Sequence, residues 1–408
     1  MQIFVQQLVV PTYRVPFFNE LNRRSDGRYT LELHASDHVP GFPSTSDQPI
    51  DCALHVHPCK CFFGKELYWQ QAMKLPSDFA RGDVVIFNSN LRILSNFRLV
   101  AQAKSRGLAV VSWNHHLSSS SKPILSSIRQ KMVASVTDHF LVYTESEREV
   151  MLQDGYRDDQ VTALNNTIDS GPIYREVKKW CDTIDEGQAN FVSKARSSEK
   201  IRKFRTEICN DDQKLLLYCG RILSRSRLDI LVKSVAILNQ QKKRFALVVI
   251  GDGPDRSTVE KLASDFGQEA NIKWLGKIYD ESLLAPWFLA ADFLVYPGPI
   301  GLSLNHAMTY GLPVITHENS KSHGPEFAYL RAGYNGLLFK QNCENDLSET
   351  IERAVKNSNA SLSKHSIETS TNTFSLSKMV SQFSTAVLGI SKRKNNRSDT
   401  SNQSETVS

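Results

Sequence analysis

The chain has 408 residues, a formal net charge of +6 and 40% hydrophobic residues, a composition that suits two or three folded domains. It lacks a run of about 18 apolar residues and the start of a secretory signal, so we expect a cytoplasmic protein without a membrane span, whose seven cysteines are reduced. The mild positive charge suits anionic small molecules or an anionic membrane surface and does not by itself indicate nucleic-acid binding.

The first half of the chain alternates short apolar runs with amphipathic segments. Strands are predicted at 1–10, 29–36, 83–87, 108–113, 140–143 and 161–164, with helices at 15–24 and 91–104. Thr144 and Glu147 have the spacing of a capping box that opens a further helix. Strands alternating with helices predict a parallel sheet covered on both faces.

Polar residues follow several of these strands, where open parallel sheets bind ligands. They are Tyr13, Arg14, Asn88, His115 and His116. Taken singly, each fits an ordinary surface or packing role, but the shared position after strand ends favours the two histidines as functional residues.

A basic amphipathic segment spans 122–136 and carries Lys122, Arg129 and Lys131. We interpret this segment first as an amphipathic helix whose basic face is exposed to solvent. The alternative is peripheral contact with the inner face of a membrane.

One cluster has the chemistry of metal ligands, with five members within ten residues: Cys52, His55, His57, Cys59 and Cys61. Thiolates and imidazoles suit zinc, but the C-x-C and H-x-H spacings lack a matching second half. We therefore expect a loop or edge strand here, with metal binding as the alternative.

The second half begins with a polar, helical stretch at 173–208 and then repeats short apolar strands. These are predicted at 215–219, 245–250, 272–275, 293–296 and 314–316, with helices at 228–239, 256–266 and 281–290. Pro286 is expected to kink or split the last of these helices. The pattern predicts a second doubly wound sheet.

Glycines mark the strand ends of this second sheet. Gly220 follows the first strand, the GDGP sequence at 251–254 follows the second, and Gly276 and Gly298 follow the third and fourth. Glycine lets a backbone approach a ligand closely. A lone GDGP is a weak signal, and tight turns alone are the alternative explanation.

The stretch 296–317, YPGPIGLSLNHAMTYGLPVITH, predicts a strand end, a Pro/Gly turn, a short helix and another strand. Free N–H groups near Gly301 to Ser303 make an anion site, with His306 about one turn further along. Arg221, with Arg225 or Arg227 in the loop after the first strand, is expected to grip a diphosphate.

Several segments of the second half resemble one family: GRILSRSRLDILVKSVAIL, VVIGDGP, WLGKI, ADFLVYPG and GLSLNHAMTYGLPVI. They are similar to the donor-binding half of retaining glycosyltransferases of family 4, which have the GT-B fold. The resemblance is specific over about residues 215–339.

The resemblance implies transfer of a sugar from a nucleotide diphosphate sugar to a glycan or lipid-linked acceptor, without a metal or other cofactor. It implies an α/β chain in which two Rossmann-like doubly wound domains face a cleft, the acceptor domain at 1–168 and the donor domain at 169–372. It also implies a C-terminal helix, within 373–390, that crosses back to the first domain. We expect a loop at 357–373, a helix end at Gly389 and a disordered tail at 391–408.

Residue by residue, Arg221 falls on the family's phosphate-binding arginine, and Ser226 falls where its partner lysine is expected. The family's paired glutamates, eight positions apart, fall on Gly298 and His306, so both carboxylates are missing. A histidine can still hydrogen-bond a ribose hydroxyl. Glu326, in the segment that follows, is an unplaced candidate for a carboxylate.

These arguments predict three sets of site residues. Those expected to stabilise the leaving phosphate or to line the sugar are Arg221, Arg225, Arg227, His115 and His116. The donor side is expected to comprise Gly220, Gly251, Asp252, Gly253, Pro254, Lys277, Ile278, Gly298, Gly301, Leu302, Ser303 and His306. Tyr13 and Arg14 are expected on the acceptor side.

Two other functions stay open. A nucleotide-sugar epimerase on the same double fold needs carboxylate acid–base residues, and a catalytically silent subunit of a glycan-assembly complex fits the missing glutamates. A dinucleotide oxidoreductase is disfavoured because no G-x-G-x-x-G follows a strand with an acidic residue downstream.

Overall fold

The computed structural model describes residues 1–40, 42, 44–64, 66–115, 123–182, 188–210, 213–241, 244–356 and 360–404. The chain divides into two compact units: unit 1 is Met1–Asn166 with Leu376–Ser408, and unit 2 is Thr167–Ser375. Within the described ranges, no helix has both the length and the apolar character that crossing a bilayer requires.

Unit 1 is built on a parallel sheet with helices on both faces. Its strands are β1 (Gln2–Gln6), β2 (Thr30–Ala35), β3 (Ala53–Val56), β4 (Cys59–Phe62), β5 (Leu67–Gln70), β6 (Val84–Phe87), β7 (Ala109–Trp113), β8 (His139–Val142) and β9 (Val161–Ala163). Its helices are α1 (Val15–Arg23), α2 (Ser95–Ser105), α3 (Pro123–Val136), α4 (Glu145–Gln153) and, at the end of the chain, α14 (Leu376–Ser404).

Seven strands of unit 1 form one sheet in the order β3-β2-β1-β6-β7-β8-β9, while β4 and β5 form an antiparallel hairpin. Successive residues of β1 bury opposite faces. Ile3 and Val5 pack in one apolar cluster with α1 and α14, and Phe4 packs in another with α2. A strand that is buried on both faces has a continuous apolar run in its sequence, and this run made β1 predictable.

The last helix differs from its prediction. We expected Gly389 to end it and 391–408 to be disordered, but α14 continues to Ser404, and residues 405–408 lie outside the described ranges. The Ser391 hydroxyl donates a hydrogen bond of 2.6 Å to the carbonyl oxygen of Gly82. This contact with the rest of unit 1 stabilises the helix in a polar segment. The local composition does not reveal the contact.

Unit 2 contains a second parallel sheet. Its strands are β10 (Lys214–Cys219), β11 (Phe245–Ile250), β12 (Ile272–Gly276), β13 (Phe293–Tyr296), β14 (Val314–His317) and β15 (Gly336–Phe339). Its helices are α5 (Gly171–Lys179), α6 (Gln188–Arg196), α7 (Glu199–Thr206), α8 (Leu228–Gln240), α9 (Arg256–Asp265), α10 (Glu281–Ala290), α11 (Leu302–Thr309), α12 (Glu344–Lys356) and α13 (Ala360–Asn372).

The sheet order in unit 2 is β12-β11-β10-β13-β14-β15, and every pair is parallel. The order reverses between β10 and β13, so the chain winds outward in both directions from β10. The prediction of an α/β chain with two doubly wound sheets is confirmed. The sixth strand, β15, was not predicted, and α10 runs unbroken through Pro286.

The segment 357–373 was predicted to be a loop, and this is wrong for its described part, which is helix α13. Serine and threonine usually favour turns because their hydroxyls compete for backbone groups. Here those hydroxyls bond back along the helix, as when Thr369 donates 2.7 Å to the His365 carbonyl. Ile367 is 2% exposed and packs in the core of unit 2, so burial decides the conformation.

Candidate functional site

The loops that follow β10, β11 and β12 enclose one cavity in unit 2, with a volume of about 730 Å³. Sequence analysis predicted nine of its lining residues: Gly220, Arg221, Gly251, Asp252, Gly253, Pro254, Lys277, Ile278 and Ser303. It missed four: Cys219, Ile250, Tyr279 and Leu284. The carboxyl edge of the sheet thus has a concave site with backbone, cationic and apolar walls.

Two glycines let the loops after β10 and β11 approach each other. A Cβ atom on Gly251, whose φ is 144°, would lie 1.9 Å from the Gly220 oxygen, and one on Gly253 would lie 2.0 Å from the Ile222 oxygen. Tight loop packing therefore requires both glycines, whatever the ligand. The close approach also leaves the cavity wall without side chains at these positions.

The position of Arg221 is fixed through its own carbonyl group. That oxygen accepts hydrogen bonds from the Tyr218 hydroxyl at 3.1 Å and the Ser226 hydroxyl at 2.7 Å. Ser226, which falls where the family lysine is expected, is 4% exposed and braces this loop. The Arg221 side chain is exposed and lines the cavity.

The other two arginines of this loop do not line the cavity. Arg225 is exposed. Arg227 has a left-handed backbone with φ of 50°, and its guanidinium group pairs with Asp229 at 3.2 Å and with the Asn342 side chain. The expected diphosphate grip therefore has only Arg221 at the cavity.

The opposite end of the cavity is the first turn of α11, where Ser303 contributes to the lining. Gly298 lies in the turn before it, and a Cβ atom there would be 2.3 Å from the Arg225 oxygen. A side chain at this position therefore collides with backbone. The turn therefore has no room for a larger residue at position 298.

A carboxylate approaches this turn from elsewhere in the chain. Glu326 is 3% exposed, and its Oε2 atom lies 3.4 Å from an ideal Cβ on Gly301, the residue that directly precedes α11. The side chain that sequence analysis left unplaced is thus beside the helix start where the predicted anion site lies.

Hydrogen bonds attach the segment before Glu326 to the turn before α11. The Ile300 N–H donates to Nδ1 of His323 at 3.0 Å, and the Gly324 N–H donates to the Ile300 carbonyl at 2.7 Å. Nε2 of His323 donates to the His317 carbonyl at 2.9 Å. Burial lowers the pKa of His323, which favours the neutral ring that this pattern requires.

His306 lies next to a carboxylate that sequence analysis missed. Its Nε2 atom is 3.0 Å from Oε1 of Glu281 at the start of α10, and the Tyr310 hydroxyl donates to the same oxygen at 2.5 Å. Burial alone raises the pKa of Glu281, but the bonds from His306 and Tyr310 outweigh it and lower the pKa. An ionised carboxylate therefore stands beside His306.

Charged side chains also line the cavity. The Lys277 ammonium lies 3.7 Å from Oδ2 of Asp252, whose Oδ1 accepts the Gly253 N–H at 2.8 Å. Arg221 and Lys277 are both exposed members of the lining, and positive groups of this kind attract anions.

In unit 1, the predicted acceptor-side residues form an aromatic cluster after β1. Arg14 is 6% exposed, and its guanidinium carbon lies 4.7 Å from the Trp113 ring centre and 5.4 Å from that of Tyr143. Within the part of the chain that the structure describes, its Nη1 atom is buried without a hydrogen-bond partner. Tyr13 is 41% exposed beside it. A buried positive charge held mainly by ring faces is costly unless an anion joins it.

The predicted histidine pair of unit 1 is described only in part. Nδ1 of His115 lies 3.1 Å from Oε1 of Glu147, and its ring packs on Tyr143 at 4.3 Å. His116 lies outside the described residues. Asn88 braces its own loop, since its Oδ1 atom accepts the Asn90 N–H at 3.0 Å.

The cysteine and histidine cluster does form an edge strand and a hairpin. His55 lies in β3 at the edge of the sheet, while Cys59 and Cys61 lie in β4. No described member is joined by a disulfide.

Known structures share this two-sheet architecture. HepE from Anabaena, solved in complex with UDP, covers 95% of this chain and 99% of its own, with a TM-score of 0.64 at 13% identity. Sucrose-phosphate synthase from Thermosynechococcus elongatus covers 94% and 98%, with a TM-score of 0.62 at 14% identity. The chain therefore has the GT-B fold of glycosyltransferases. At these identities the likeness concerns the fold alone.

Part of the sequence also matches a protein-family model. Residues 199–372 match the family model described as glycosyl transferases group 1. The matched stretch lies within unit 2 and includes the motifs on which the resemblance depends.

Curated relatives match parts of the chain. The lipopolysaccharide core biosynthesis glycosyltransferase LpsE of Rhizobium meliloti is 27% identical over 147 residues, 35% of this chain and 40% of its own. The D-inositol 3-phosphate glycosyltransferase of a Nocardioides species is 27% identical over 219 residues, 49% and 45%. The matched stretch thus spans less than half the length of these relatives.

Proposed function

We propose that the chain is a retaining glycosyltransferase that takes a sugar from a nucleotide diphosphate sugar bound to unit 2. The observation that carries this proposal is the cavity at the strand ends of a group 1 glycosyltransferase domain, with Arg221 on one side and the start of α11 on the other. A diphosphate needs positive charge and free N–H groups, and these elements supply both.

In the proposed reaction, the bond between the anomeric carbon and the diphosphate oxygen breaks. A bond to the acceptor oxygen forms on the same face of the sugar, and the acceptor proton passes to the released diphosphate. Arg221, with N–H groups near Gly301 and Leu302, stabilises the charge on the leaving group. Preorganised charge of this kind is often the largest catalytic contribution, and one such contact is worth on the order of 3 kcal/mol.

We assign Glu326 the position of the donor-sugar carboxylate in this chain, which lacks the family's paired glutamates. Support comes from the collision that any side chain at Gly298 would meet and from the Glu326 carboxylate beside Gly301. A buried carboxylate at a sugar site orients hydroxyl groups by accepting their hydrogen bonds. The bonds that hold His323 and Gly324 to Ile300 keep this carboxylate in place.

We assign His306 and Glu281 to the ribose of the nucleotide. Support comes from the 3.0 Å contact between the two side chains and from their helices, α10 and α11, which contribute Leu284 and Ser303 to the lining of the cavity. Backbone at Lys277 and Ile278 is proposed to meet the base. No feature of these residues selects one base.

We assign the acceptor to unit 1, at Tyr13, Arg14 and His115. The buried guanidinium group of Arg14 suits an acceptor that carries a phosphate or carboxylate, such as a lipid-linked or acidic glycan. On α3, Arg129 and Lys131 lie beside Ile128 and Met132, which are 52% and 49% exposed. This mixed surface supports peripheral contact with an anionic membrane where such acceptors reside.

A second candidate function is a catalytically silent subunit of a glycan-assembly complex. The observation that favours it is the absence of a carboxylate at both Gly298 and His306. A silent subunit binds a nucleoside diphosphate but releases none from a nucleotide sugar.

The test has two stages. Melting temperatures with UDP-, GDP- and dTDP-sugars identify the donor, because a ligand that binds the folded state raises the melting point. Release of nucleoside diphosphate is then measured with that donor, alone and with candidate acceptors. Slow hydrolysis or transfer supports the enzyme, binding without release supports the silent subunit, and no shift with any donor contradicts both.

A further inference from the structure

We propose that Glu32, His34 and His55 of unit 1 form a binding site for a divalent transition-metal ion, best matched by zinc, with His57 as its positioning residue. The site is separate from the donor cavity of unit 2 and does not depend on the proposed transfer reaction.

The three ligand side chains are brought together by neighbouring parallel strands. Glu32 and His34 are two residues apart on β2 and so share a face of the sheet, and His55 on β3 is the register partner of His34. Oε2 of Glu32 lies 3.5 Å from Nε2 of His34 and 3.8 Å from Nε2 of His55. Ligand atoms at about 2.0–2.2 Å from one zinc ion stand about 3.3–3.6 Å apart in a tetrahedron, so these two distances are close to those required. The three ligand atoms all lie within 4.8 Å of one another.

His34 presents a free ring nitrogen to this group. Its ring is 4% exposed and stacks on Phe4 at 3.8 Å, and its Nε2 atom is buried without a hydrogen-bond partner among the described residues. A buried polar atom without a partner is costly, and a metal ion is a partner that accepts its lone pair.

His57 sets the tautomer of His34. Nδ1 of His34 lies 3.0 Å from Nε2 of His57, and the backbone of Gln71 bonds to the His57 ring. If the other nitrogen of His57 donates to that backbone, Nε2 of His57 accepts the Nδ1–H of His34. Nε2 of His34 is then left with its lone pair directed at Glu32. Metal-binding histidines are commonly oriented by such a second hydrogen bond.

One side chain must turn to complete the site. The His34 and His55 rings are nearly parallel, at 14° with centres 4.5 Å apart, so one ion does not lie in both ring planes. The His55 side chain is 49% exposed and the Glu32 side chain 27%, so both can adjust from the solvent side. Solvent fills the remaining coordination position, because this side of the cluster is open.

The nearby thiols are not part of this group. Among the described residues, the set of side chains whose ligand atoms come together consists of Glu32, His34 and His55 and contains no cysteine. An ion at the proposed site would join β3 to β2. Three of the four residues of β3 are exposed, so apolar burial gives this edge strand little support.

The test uses the full-length chain, treated with a chelator and titrated with Zn²⁺ by calorimetry and with Co²⁺ by visible absorption. We expect one ion per chain and a higher melting temperature. Glu32→Gln and His55→Ala should each weaken binding by at least about tenfold, since each removes a ligand, and His57→Phe should weaken it by about 10–100-fold. His57→Gln, whose side-chain oxygen can still accept the Nδ1–H, should recover part of that loss.

The matched controls are His38→Ala, an exposed histidine in the next loop, and the double substitution Cys59→Ser with Cys61→Ser. Both should keep one site with wild-type affinity. The proposal is overturned if the wild-type chain binds no ion, if His55→Ala and Glu32→Gln bind like the wild type, or if strong near-ultraviolet thiolate absorption of the Co²⁺ form disappears with the cysteine substitutions.

Discussion

At the strand ends of unit 2, glycine loops and backbone leave a cavity of about 730 Å³ that exposed Arg221 and Lys277 border. At the strand ends of unit 1, the space after β1 is filled by aromatic rings around the buried Arg14. Two sheets of the same winding thus differ in where they keep positive charge. Exposed positive charge on a concave wall suits a strongly anionic ligand that several groups contact at once. The single buried guanidinium group of Arg14 suits one anionic group of its ligand.

The largest expected effect concerns the turn before α11, where Gly298 lies. Gly298→Ala forces a Cβ atom to within 2.3 Å of the Arg225 oxygen. Overpacking against backbone should destabilise the chain by about 3 kcal/mol, roughly a hundredfold in the folding equilibrium. Chemical denaturation measures this. Gly333→Ala is the control without a collision: nothing lies within 4 Å of the added atom, and its φ of 76° adds a backbone strain that position 298, where φ is not positive, does not have.

If Gly298→Ala were no less stable than Gly333→Ala, the turn would have room for a side chain. The missing glutamate would then need another explanation, and the case for Glu326 would weaken.

The next effect tests that carboxylate directly. Glu326→Gln keeps the shape of the side chain but removes its charge, so transfer should fall by about a hundredfold if the charge acts on the donor sugar. Melting temperature and nucleoside diphosphate affinity should change little. Glu318→Gln, an exposed glutamate of the same segment, is the matched control. Equal loss in both variants, or none in Glu326→Gln, would contradict the assignment.

A smaller effect should separate unit 1 from unit 2. Arg14→Gln removes the buried cation, so an anionic acceptor should bind about tenfold more weakly, the value of one charge-assisted hydrogen bond. Nucleoside diphosphate affinity should stay at the wild-type value, because the donor is assigned to unit 2. Saturation curves for acceptor and donor measure the two separately. A loss confined to the donor curve would place Arg14 on the donor side instead.

The smallest effect is a dependence of stability on pH. Burial lowers the pKa of His34 to about 3 and those of His139 and His317 to about 4, below the ordinary value of about 6.5. The unfolded chain therefore takes up more protons between those values, and stability should fall as the pH drops below about 6.5. Each histidine contributes at most about 1.4 kcal/mol per pH unit.

Denaturation at several pH values checks this slope. His317→Asn should make it shallower, whereas replacing the exposed His38 should leave it unchanged. A slope that His317→Asn does not alter would mean that this histidine titrates normally in the folded chain.

Sequence patterns predicted most of the fold because buried parallel strands appear as short apolar runs, as in β11 and β13. They failed where tertiary contacts decide the conformation. The hydroxyl-rich α13 is helical because Ile367 is buried, and α14 extends past Gly389 because Ser391 bonds to unit 1. Composition alone contains neither fact.

The candidate site divides in the same way. Residues that directly follow strands, such as Arg221 and Lys277, were predictable because the carboxyl ends of parallel strands meet at one edge. Glu281 and Glu326 were not, because each reaches its place through the path of a helix or loop. The lack of space at Gly298 could not be predicted either, because the sequence shows a glycine but not the Arg225 backbone that would collide with a larger residue.

The central claim is that Arg221 in unit 2 holds the diphosphate of a nucleotide sugar. Calorimetric titration of UDP, or of whichever nucleoside diphosphate the melting screen selects, tests it most directly in the wild-type chain, Arg221→Ala and the control Arg353→Ala, an exposed arginine of α12. We expect Arg353→Ala to bind with wild-type affinity and Arg221→Ala to bind more weakly by about tenfold or more, the value of one charge-assisted contact. Neither substitution should change the melting temperature of the free chain. Equal affinity in all three proteins would contradict it.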